Sequence, residues 1–417
     1  MAQLSDDCFA FGGELMRSDE ALKMLSDRLD IVVGSTDVRL RDAEGRVLAK
    51  DLKSHMSVPP HDNAAVDGYA VRFEDLIHDG YTRLIVTGRV AAGDRPMHML
   101  AGGEAIRIFT GAAMPPNADT VLMQEDCRED GDEVTIPPGI KYGANRRFAG
   151  EDIEMGDTIL TAGTRLRPQE IGLASSIGCV ELPVYDRVRV ALFSTGNELR
   201  DTGDELPPGC IYDANRYSLA TALERLGCEV SDLGILPDDY NIIRDTLEGA
   251  TDGHDLIISS GGVSTGEEDH VRNAIDTLGH LHFWKLAIRP GRPLALGQIG
   301  VVPFLGLPGN PVAVLVTFMR FARPAILRLG GCTTVNPNIY RVRSGFNMRK
   351  KLGRREWLRV SLGYDHDGTP VVHKFPHDGA GILTSMVAAD GLVELPEDLT
   401  SLKTGTMVDY LPFSEVG

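Results

Sequence analysis

The sequence has few features of a membrane, secreted or zinc-ribbon protein. Its longest apolar run, Val312 to Met319, already contains a threonine, ends before Arg320 and is too short to span a bilayer. Its six cysteines are scattered without a C-x-x-C pair, so neither a zinc ribbon nor a disulfide framework is indicated. The first 17 residues are acidic and lack the basic region and apolar stretch of a signal peptide. We therefore expect a cytoplasmic protein without a membrane segment.

Basic residues are also scarce. The chain has 42 Lys and Arg against 60 Asp and Glu, which gives a formal charge of −18. This charge argues against nucleic acid or an anionic membrane surface as a partner. It leaves a small anionic ligand open, because local loops rather than net charge form such sites. At 417 residues the chain exceeds the size at which one core keeps growing, so we expect two to four domains.

The most informative segment is ISSGGVSTGEED, from Ile258 to Asp269. It is typical of a buried strand that stops at two glycines, Gly261 and Gly262, and opens into a polar loop. Bare glycine backbone lets amides approach an anionic oxygen, and Ser264 adds a hydroxyl donor. The bland interpretation is a tight strand–helix turn with a solvated acidic cap.

Two further loops favour a ligand site over that bland interpretation. The segment KLAIRPGRP places three cations, Lys285, Arg289 and Arg292, around a Pro-Gly turn. The segment GLPGNP, which contains Pro308 and Asn310, ends a strand and starts an apolar helix at a proline suited to a first turn. Three strands thus end in anion-friendly loops, which predicts a phosphate-bearing ligand together with a metal ion.

Three carboxylates follow three predicted strands. Glu198 lies in STGNEL, Asp238 in ILPDD, and Asp269 closes the acidic triplet. Strand ends of a parallel sheet meet at one edge, so these side chains can converge there on a magnesium ion that also binds a phosphate oxygen. A helix N-terminus would favour a carboxylate such as Glu198 in any case. His280 and His282 have the spacing of two ligands on one strand face, but no third ligand stands nearby, and a solvated strand face is the preferred interpretation.

The pattern along the chain predicts a multidomain protein of α/β and β parts. Residues 18–30 are typical of a helix with a Ser-Asp-Glu N-cap and first turn. Residues 54–153, rich in Pro, Gly and Asp, predict an all-β insertion. Between residues 187 and 330 strands alternate with helices, which is typical of a parallel sheet with crossover helices. Residues 336–413 predict a small β-barrel or sandwich.

With four more motifs the chain closely resembles the molybdopterin molybdenumtransferases, which insert molybdenum during molybdenum cofactor synthesis and are related to the E domain of gephyrin. The motifs are DNAAVDGYAVR at 62–72, TGAAMPPNADTVLMQED at 110–126, AGEDI at 149–153 and STGNEL at 194–199. The resemblance runs from about residue 18 to the C-terminus.

The resemblance implies a four-part subunit. It places an α/β molybdopterin-binding domain at 1–36 and 187–332, with the N-terminal helix packed on it, and a linking layer at 37–53 and 154–186. It also implies a projecting β insertion at 54–153 and a C-terminal β-barrel at 333–417. The family is dimeric, and each active site is shared with the projecting domain of the other subunit. The implied reaction inserts molybdenum from molybdate into adenylylated molybdopterin and releases AMP, with Mg²⁺ as cofactor.

The resemblance also implies roles for individual residues. Asp67 faces the active site from the partner subunit, and Thr110 matches a family position, although an Asp-Gly turn and a capping hydroxyl are the bland interpretations of these two. We expect Asp67, Thr110, Glu198, Asp238 and Asp269 to be catalytic, the last three as magnesium ligands. We expect the substrate to be held by Gly261, Gly262, Ser264, Lys285, Arg289, Arg292, Pro308, Asn310, Arg354 and Ser385.

Four positions depart from the family pattern. Arg289 and Arg292 stand where lysine is usual in one or both positions, and Ala313 and Ala380 stand where serine is often found. A guanidinium is planar and bidentate, whereas an ammonium is a point charge, so the departures bear on oxyanion binding. Two other functions stay open from the sequence: a non-catalytic molybdopterin-binding scaffold, and a related α/β enzyme acting on a nicotinamide nucleotide. The second would need neither the insertion nor the C-terminal β domain.

Overall fold

The computed structural model describes residues 15–262, 270–291 and 293–416, without the side chains of 281–285 and 293. The α-helices are α1 (Ser18–Arg28), α2 (Pro168–Ser176), α3 (Ala214–Leu226), α4 (Tyr240–Ala250), α5 (His270–Leu278), α6 (Pro311–Thr317), α7 (Arg323–Leu329) and α8 (Thr384–Val387). A π-helical turn at Phe318–Ala322 joins α6 to α7. Single 3-10 turns lie at Leu40–Asp42, Phe73–Asp75, Gln124–Asp126 and Phe413–Glu415.

The strands fall into four groups along the chain. The N-terminal strands are β1 (Ser35–Arg39), β2 (Leu52–Lys53), β3 (Asn63–Ala64), β4 (Gly68–Val71), β5 (Thr82–Val90), β6 (Glu104–Ile108) and β7 (Thr120–Met123). They are followed by β8 (Arg128–Asp130), β9 (Glu133–Ile136), β10 (Arg146–Arg147), β11 (Thr158–Leu160) and β12 (Glu181–Tyr185). The middle strands are β13 (Arg189–Thr195), β14 (Leu199–Arg200), β15 (Ile211–Tyr212), β16 (Glu229–Leu236), β17 (Leu256–Ser260), β18 (Gly279–Lys285), β19 (Ile288–Arg289), β20 (Pro293–Ile299) and β21 (Val302–Leu307). The last strands are β22 (Tyr340–Ser344), β23 (Met348–Arg349), β24 (Arg355–Tyr364), β25 (Pro370–Lys374), β26 (Gly391–Leu395), β27 (Ser401–Leu402) and β28 (Met407–Pro412).

The central sheet has six strands in the order β16-β13-β17-β21-β20-β18. Its first four strands are parallel, as predicted, but β20 is antiparallel to both neighbours. The predicted parallel sheet is confirmed for these four strands, and the sequence pattern did not indicate the antiparallel pairing of β20. A two-residue link, Gly300–Val301, joins β20 to β21, and such a link can only fold back into a hairpin. The sheet is therefore mixed, with a parallel half that carries the predicted site loops.

Both faces of this sheet are buried, as a sheet with helices on each side requires. Residues of one strand alternate between the two cores: Leu192 faces the core that contains Ala21 and Leu25 of α1, and Phe193 faces the core of α4 and α5. The predicted N-terminal helix is thus confirmed and packs on the α/β sheet. The serine cap was wrong: the helix is capped by the Glu20 carboxylate, which accepts from the Arg17 N–H at 3.3 Å.

The insertion is an all-β unit, as predicted. Its sheet has the order β7-β4-β6-β5-β9-β8, with β5 and β6 parallel and the remaining pairs antiparallel. One face packs around Ile106 and Ile108 and the other around Tyr69 and Leu122. Both cores consist of residues of the insertion itself, so its sheet is stabilised by its own burial of apolar surface.

The C-terminal strands form a closed five-stranded barrel, because β24, β25, β22, β28 and β26 pair in turn and β26 pairs again with β24. This confirms the barrel over the sandwich. Arg355, at the start of β24, ties the barrel to the N-terminal helix through Asp19, at 2.6 Å, and is also paired with Glu394 and Glu397. Although burial works in the opposite direction, these carboxylates raise the pKa of Arg355.

The pairs β1–β12 and β2–β11, together with α2, form a smaller layer with its own core around Leu48, Leu166 and Leu182. The bounds of the four parts stay a prediction. Five cysteines are described, and they are free; Cys228 and Cys332 are buried, and the others are half-buried. No helix of the described residues has the length and apolar character needed to cross a membrane.

Candidate functional site

The loops after β13, β16, β17 and β21 lie at one edge of the central sheet, because these strands are parallel neighbours. We call these loops the α/β edge. They contain Glu198, Asp238, Gly261 and Asn310, four of the residues singled out from the sequence. The ends of these strands thus lie side by side, while the convergence of the carboxylates on a metal ion stays a prediction. Ser264 and Asp269 lie outside the described residues.

The paired glycines leave no room for a side chain. Gly261 has φ +85°, and a Cβ there would lie 2.9 Å from the carbonyl oxygen of Thr195. Gly262 has φ +64°, and a Cβ would lie 2.6 Å from Cγ2 of Val271. The Gly261 N–H donates to the carbonyl of Leu307 at 3.1 Å, which joins the ends of β17 and β21. The backbone is therefore bare and fixed, as an anion-binding loop requires.

The GLPGNP loop starts α6 as predicted, with Pro311 in its first turn. Pro308 is buried and Asn310 is exposed at the N-cap. The helix is short, because the π-helical turn interrupts the long apolar helix that the sequence suggested. Exposed Asn310 therefore stands at the start of α6, on the side of the loops.

Asn215 links these two glycine loops and was missed by the sequence reasoning. Its side-chain Nδ2 donates to Ser260 Oγ at 3.0 Å and to the carbonyl of Gly309 at 2.7 Å. It lies in the first turn of α3, where the carboxylate of Asp213 caps the helix by accepting from the Asn215 and Arg216 amides. The D-x-N order after a short strand is the signal that could have found it, since aspartate there is a typical N-cap.

Glu198 folds back over its own turn. A Cβ at Gly196 would lie 2.6 Å from Glu198 Oε2, so the glycine is needed for that approach. The loops after β13 and β16 enclose a cavity of about 440 Å³ lined by Asp201, Asp204 and Pro237 among others. The predicted ligands Glu198 and Asp238 belong to these two loops. Within the described ranges no three His, Cys, Asp or Glu side chains are grouped to hold a metal.

A buried arginine anchors the Glu198 loop. Arg216 is 4% exposed and pairs with Asp201 at 2.6 Å, with Asp213 at 3.3 Å and with Asp232. Burial opposes its charge, yet these three carboxylates raise the pKa of Arg216. Because a buried charge must be paired, the contacts hold the loop between β14 and β15 against α3 and β16.

The cationic loop is shared between the sheet and the barrel. Arg289 lies on β19, which pairs in parallel with β24, and its Nη1 is 3.7 Å from Oε2 of the buried Glu356. Under the turn, a Cβ at Gly291 would lie 3.3 Å from that of Ala313, which is buried. The departure at Ala313 therefore lies directly beneath the turn that carries the cations. Arg292 and the side chain of Lys285 fall outside the described part.

The barrel meets the α/β edge at the loop GAGILTS, residues 379–385. The Val312 N–H donates to the carbonyl of Ala380 at 2.9 Å. Ser385 is fully buried; its hydroxyl accepts from Arg359 Nε at 3.0 Å and donates to the carbonyl of Ile382. These bonds of Ser385 hold the loop in shape. Arg354, the remaining predicted residue of the barrel, is half-buried directly before β24. Burial lowers the pKa of Arg359.

Asp67 and Thr110 lie together although 43 residues separate them. Asp67 Oδ1 accepts from the Thr110 N–H at 2.8 Å and from the Thr110 hydroxyl at 2.7 Å. The backbone bond from Thr110 and then the hydroxyl bond lower the pKa of Asp67. Both residues lie at one end of the insertion sheet, next to β4 and β6, and we call this end the insertion edge. Here the Asp67 carboxylate is exposed and ionised.

The structure thus gathers the predicted residues into two groups. Among the described residues, neither Asp67 nor Thr110 has a hydrogen bond or ion pair to the α/β edge of the same chain. His280 lies on β18 as expected, and no metal group forms around it in the described part.

Three family models match the chain in order. They are described as the MoeA N-terminal region (domain I and II), at residues 16–178, a probable molybdopterin binding domain, at 192–328, and the MoeA C-terminal region (domain IV), at 341–413.

Curated relatives match almost the whole chain. A molybdopterin molybdenumtransferase of Haemophilus influenzae is 35% identical over 96% of this chain and 100% of its own length. One of Nostoc sp. is 37% identical over 91% and 89%. Among solved structures, a molybdopterin biosynthesis MoeA protein of Pyrococcus horikoshii OT3 has a TM-score of 0.83 at 31% identity, covering 95% of this chain and 99% of the other.

Proposed function

The chain belongs to the molybdopterin molybdenumtransferase family, and we propose that it inserts molybdenum from molybdate into molybdopterin during molybdenum cofactor synthesis. We further propose that it acts on the adenylylated form of molybdopterin and releases AMP. The observation that carries the proposal is the α/β edge, where two bare glycine loops are cross-linked by Asn215 and flanked by carboxylates and Arg289. Fixed amides, a guanidinium and hard oxygen ligands are what a phosphate-bearing substrate and a tetrahedral oxyanion need.

Magnesium is part of the proposal. The residues fit it in kind, because Glu198 and Asp238 follow neighbouring parallel strands, and Mg²⁺ commonly takes only one or two carboxylates plus substrate phosphates. Asp269 is the third proposed ligand, on sequence grounds. When bound, the ion would neutralise the pyrophosphate.

The protein residues then have separate roles. The Gly262 amide binds a phosphate oxygen, while Gly261, whose own N–H donates to the Leu307 carbonyl, keeps the loop in place. Arg289, with Lys285 and Arg292, holds the oxyanion. Arg216 holds Asp201, three residues after Glu198, and thereby fixes the chain that follows Glu198. The Arg289 loop is kept in position by its pairing with the barrel. Cleavage is assisted by positioning and charge neutralisation.

We propose a homodimer in which Asp67 and Thr110 of one subunit complete the α/β edge of the other. The support is that neither residue has a hydrogen bond or ion pair to the α/β edge of its own chain among the described residues, and that the Asp67 carboxylate is exposed. A carboxylate whose pKa is lowered stays ionised well into the acid range, ready to meet a substrate or its metal from outside the subunit.

The test is AMP release from adenylylated molybdopterin, measured with and without molybdate and with and without magnesium. We expect release only when both are present, and expect Glu198→Gln to reduce it at least a hundredfold, since a magnesium ligand is lost. As a matched control, Glu205→Gln removes an exposed carboxylate from the same segment of chain and should behave as the parent.

Tight binding of molybdopterin without any turnover would favour the non-catalytic scaffold. The nicotinamide alternative has no supporting observation, since the insertion and barrel are both present.

A further inference from the structure

A row of polar side chains crosses the insertion sheet next to the insertion edge. Tyr69 on β4 pairs with Arg107 on β6, and Arg107 pairs with Arg89 on β5, so the three residues are direct neighbours on adjacent strands. Phe109, two residues after Arg107, lies on the same face. The Arg89 guanidinium is 4.5 Å and the Arg107 guanidinium 5.0 Å from the centre of its ring. Two cations therefore share one aromatic platform.

This arrangement is costly unless an anion compensates it. Like charges directly opposite each other in a sheet destabilise it, and stacking on a ring offsets only part of that cost. Although the protein carries a charge of −18, neither Arg89 nor Arg107 has a carboxylate within 4.0 Å among the described residues. Arg107 donates instead to neutral oxygens, the carbonyl of Gly68 at 3.1 Å and the side chain of Gln124.

The described carboxylates near the row pair with groups other than its two arginines. Glu129 lies by Tyr69, where burial and that carboxylate raise the pKa of the phenol. Glu125 accepts from the amide nitrogen of Gln124 at 3.2 Å. Asp67 is held by Thr110 and feels the charge of Arg107 without pairing with it. The exposed Arg89 guanidinium is consequently open to a ligand.

The row is continuous with the Asp67–Thr110 pair. Phe109 directly precedes Thr110, and the Gly68 carbonyl that Arg107 binds directly follows Asp67. An exposed carboxylate repels a phosphate, so a site that uses Asp67 near a phosphate needs positive charge beside it. Arg89 and Arg107 supply that charge from a planar, bidentate group suited to phosphate oxygens.

We propose that Arg89, Arg107 and Phe109 form an anion subsite that binds a phosphate group of the substrate beside Asp67. The proposal rests on the proposed function, since it assigns the phosphate-bearing end of the substrate to the insertion edge. The ligand class is a phosphate ester or pyrophosphate.

The test places a fluorescent reporter in the row. Phe109→Trp keeps an aromatic platform, and its fluorescence is titrated with inorganic pyrophosphate at constant low ionic strength, with the parent chain titrated in parallel to subtract Trp284 and Trp357. We expect a saturable change that Arg89→Gln weakens about tenfold to a hundredfold, the usual effect of losing a charged hydrogen bond. Arg89→Lys keeps the positive charge but loses the planar, bidentate guanidinium. Its affinity for pyrophosphate should therefore lie between those of the Phe109→Trp chain and the Arg89→Gln variant.

The matched control is Arg83→Gln, made in the Phe109→Trp chain. Arg83 is an exposed arginine on the same strand, opposite Thr135. This control should bind pyrophosphate with the same affinity as the Phe109→Trp chain without a second change. No saturable signal, or an equal affinity for Arg89→Gln and Arg83→Gln, would overturn the subsite.

Because the titration needs no turnover, it is independent of AMP release. Absence of AMP release from the parent would instead count against the proposed function. In the active enzyme, Arg89→Gln should raise the Michaelis constant for substrate by the same factor with little change in kcat.

Discussion

The α/β edge and the insertion edge both present groups for an anionic ligand, but they are built differently. At the α/β edge the site is formed by the backbone, because Gly261 and Gly262 have positive φ and added Cβ atoms would collide with buried neighbours. At the insertion edge the site is formed by side chains: Asp67, which accepts two hydrogen bonds from Thr110, and the exposed Arg89, which stacks on Phe109. Changes at the α/β edge should therefore act on stability and loop shape, whereas changes at the insertion edge should act on charge and pH dependence.

The largest effect is expected for Gly262→Ala. The change forces a side chain into left-handed backbone, which costs about 1–2 kcal/mol, and into contact with Val271 and Thr195, which costs about 1–3 kcal/mol more. Gly253→Ala is the matched control, because Gly253 has φ +97° but no atom within 4 Å of the added Cβ. Urea unfolding should show the larger loss for Gly262→Ala; equal losses would mean that the glycine loop is not closely packed.

The next effect is expected for Asn215→Ala. The change removes two hydrogen bonds that join the ends of β17 and β21, for about 1–3 kcal/mol of unfolding free energy, and should raise the Michaelis constant for substrate. Asn241 occupies the same position of α4 relative to its capping aspartate, yet is exposed. Asn241→Ala should therefore change neither quantity, and a similar response from both variants would remove the bridging role of Asn215.

The smallest effect is expected for Thr110→Val, which keeps the backbone bond to Asp67 but loses the hydroxyl. The folded-state pKa of Asp67 is lowered, so its ionised form persists as pH falls; losing one donor raises that pKa part of the way back. The acid limb of the pH profile of AMP release should therefore move to higher pH. Thr110→Ser keeps the hydroxyl, so the acid limb of its pH profile should coincide with that of the parent. If the acid limbs of the valine and serine variants coincide, Asp67 does not control the acid limb.

Much of the fold follows from local pattern. The strand ending at Ser260, the helix starting at Pro311 and the all-β insertion are each set by neighbours in sequence: an apolar run, a proline and turn residues. The antiparallel strand β20 was missed because a two-residue link decides its direction, and the preceding Pro-Gly turn obscured its start.

The site divides in the same way. Glycine loops and strand-end carboxylates can be found from sequence, since residue type and position carry the signal. The D-x-N order could have placed Asn215 at a helix start, but its bridging role depends on Gly309, which lies far along the chain. The Arg89–Arg107 pair could not be found, because it depends on a strand register that shifts at a bulge between Val86 and Gly88. Pairing across strands is a tertiary property that spacing alone does not fix.

The central claim is that the two edges belong to one site formed between two subunits. It is tested by mixing chains that carry Asp67→Ala with chains that carry Glu198→Gln, after confirmed subunit exchange, and measuring AMP release. Each variant alone should be inactive, and a hybrid dimer should hold one site with neither change. An equal mixture should therefore recover about one quarter of the parent rate, since about half the dimers are hybrids with one of two sites intact. No recovery despite confirmed hybrid dimers would contradict the account, because it would mean that Asp67 and Glu198 act within the same chain.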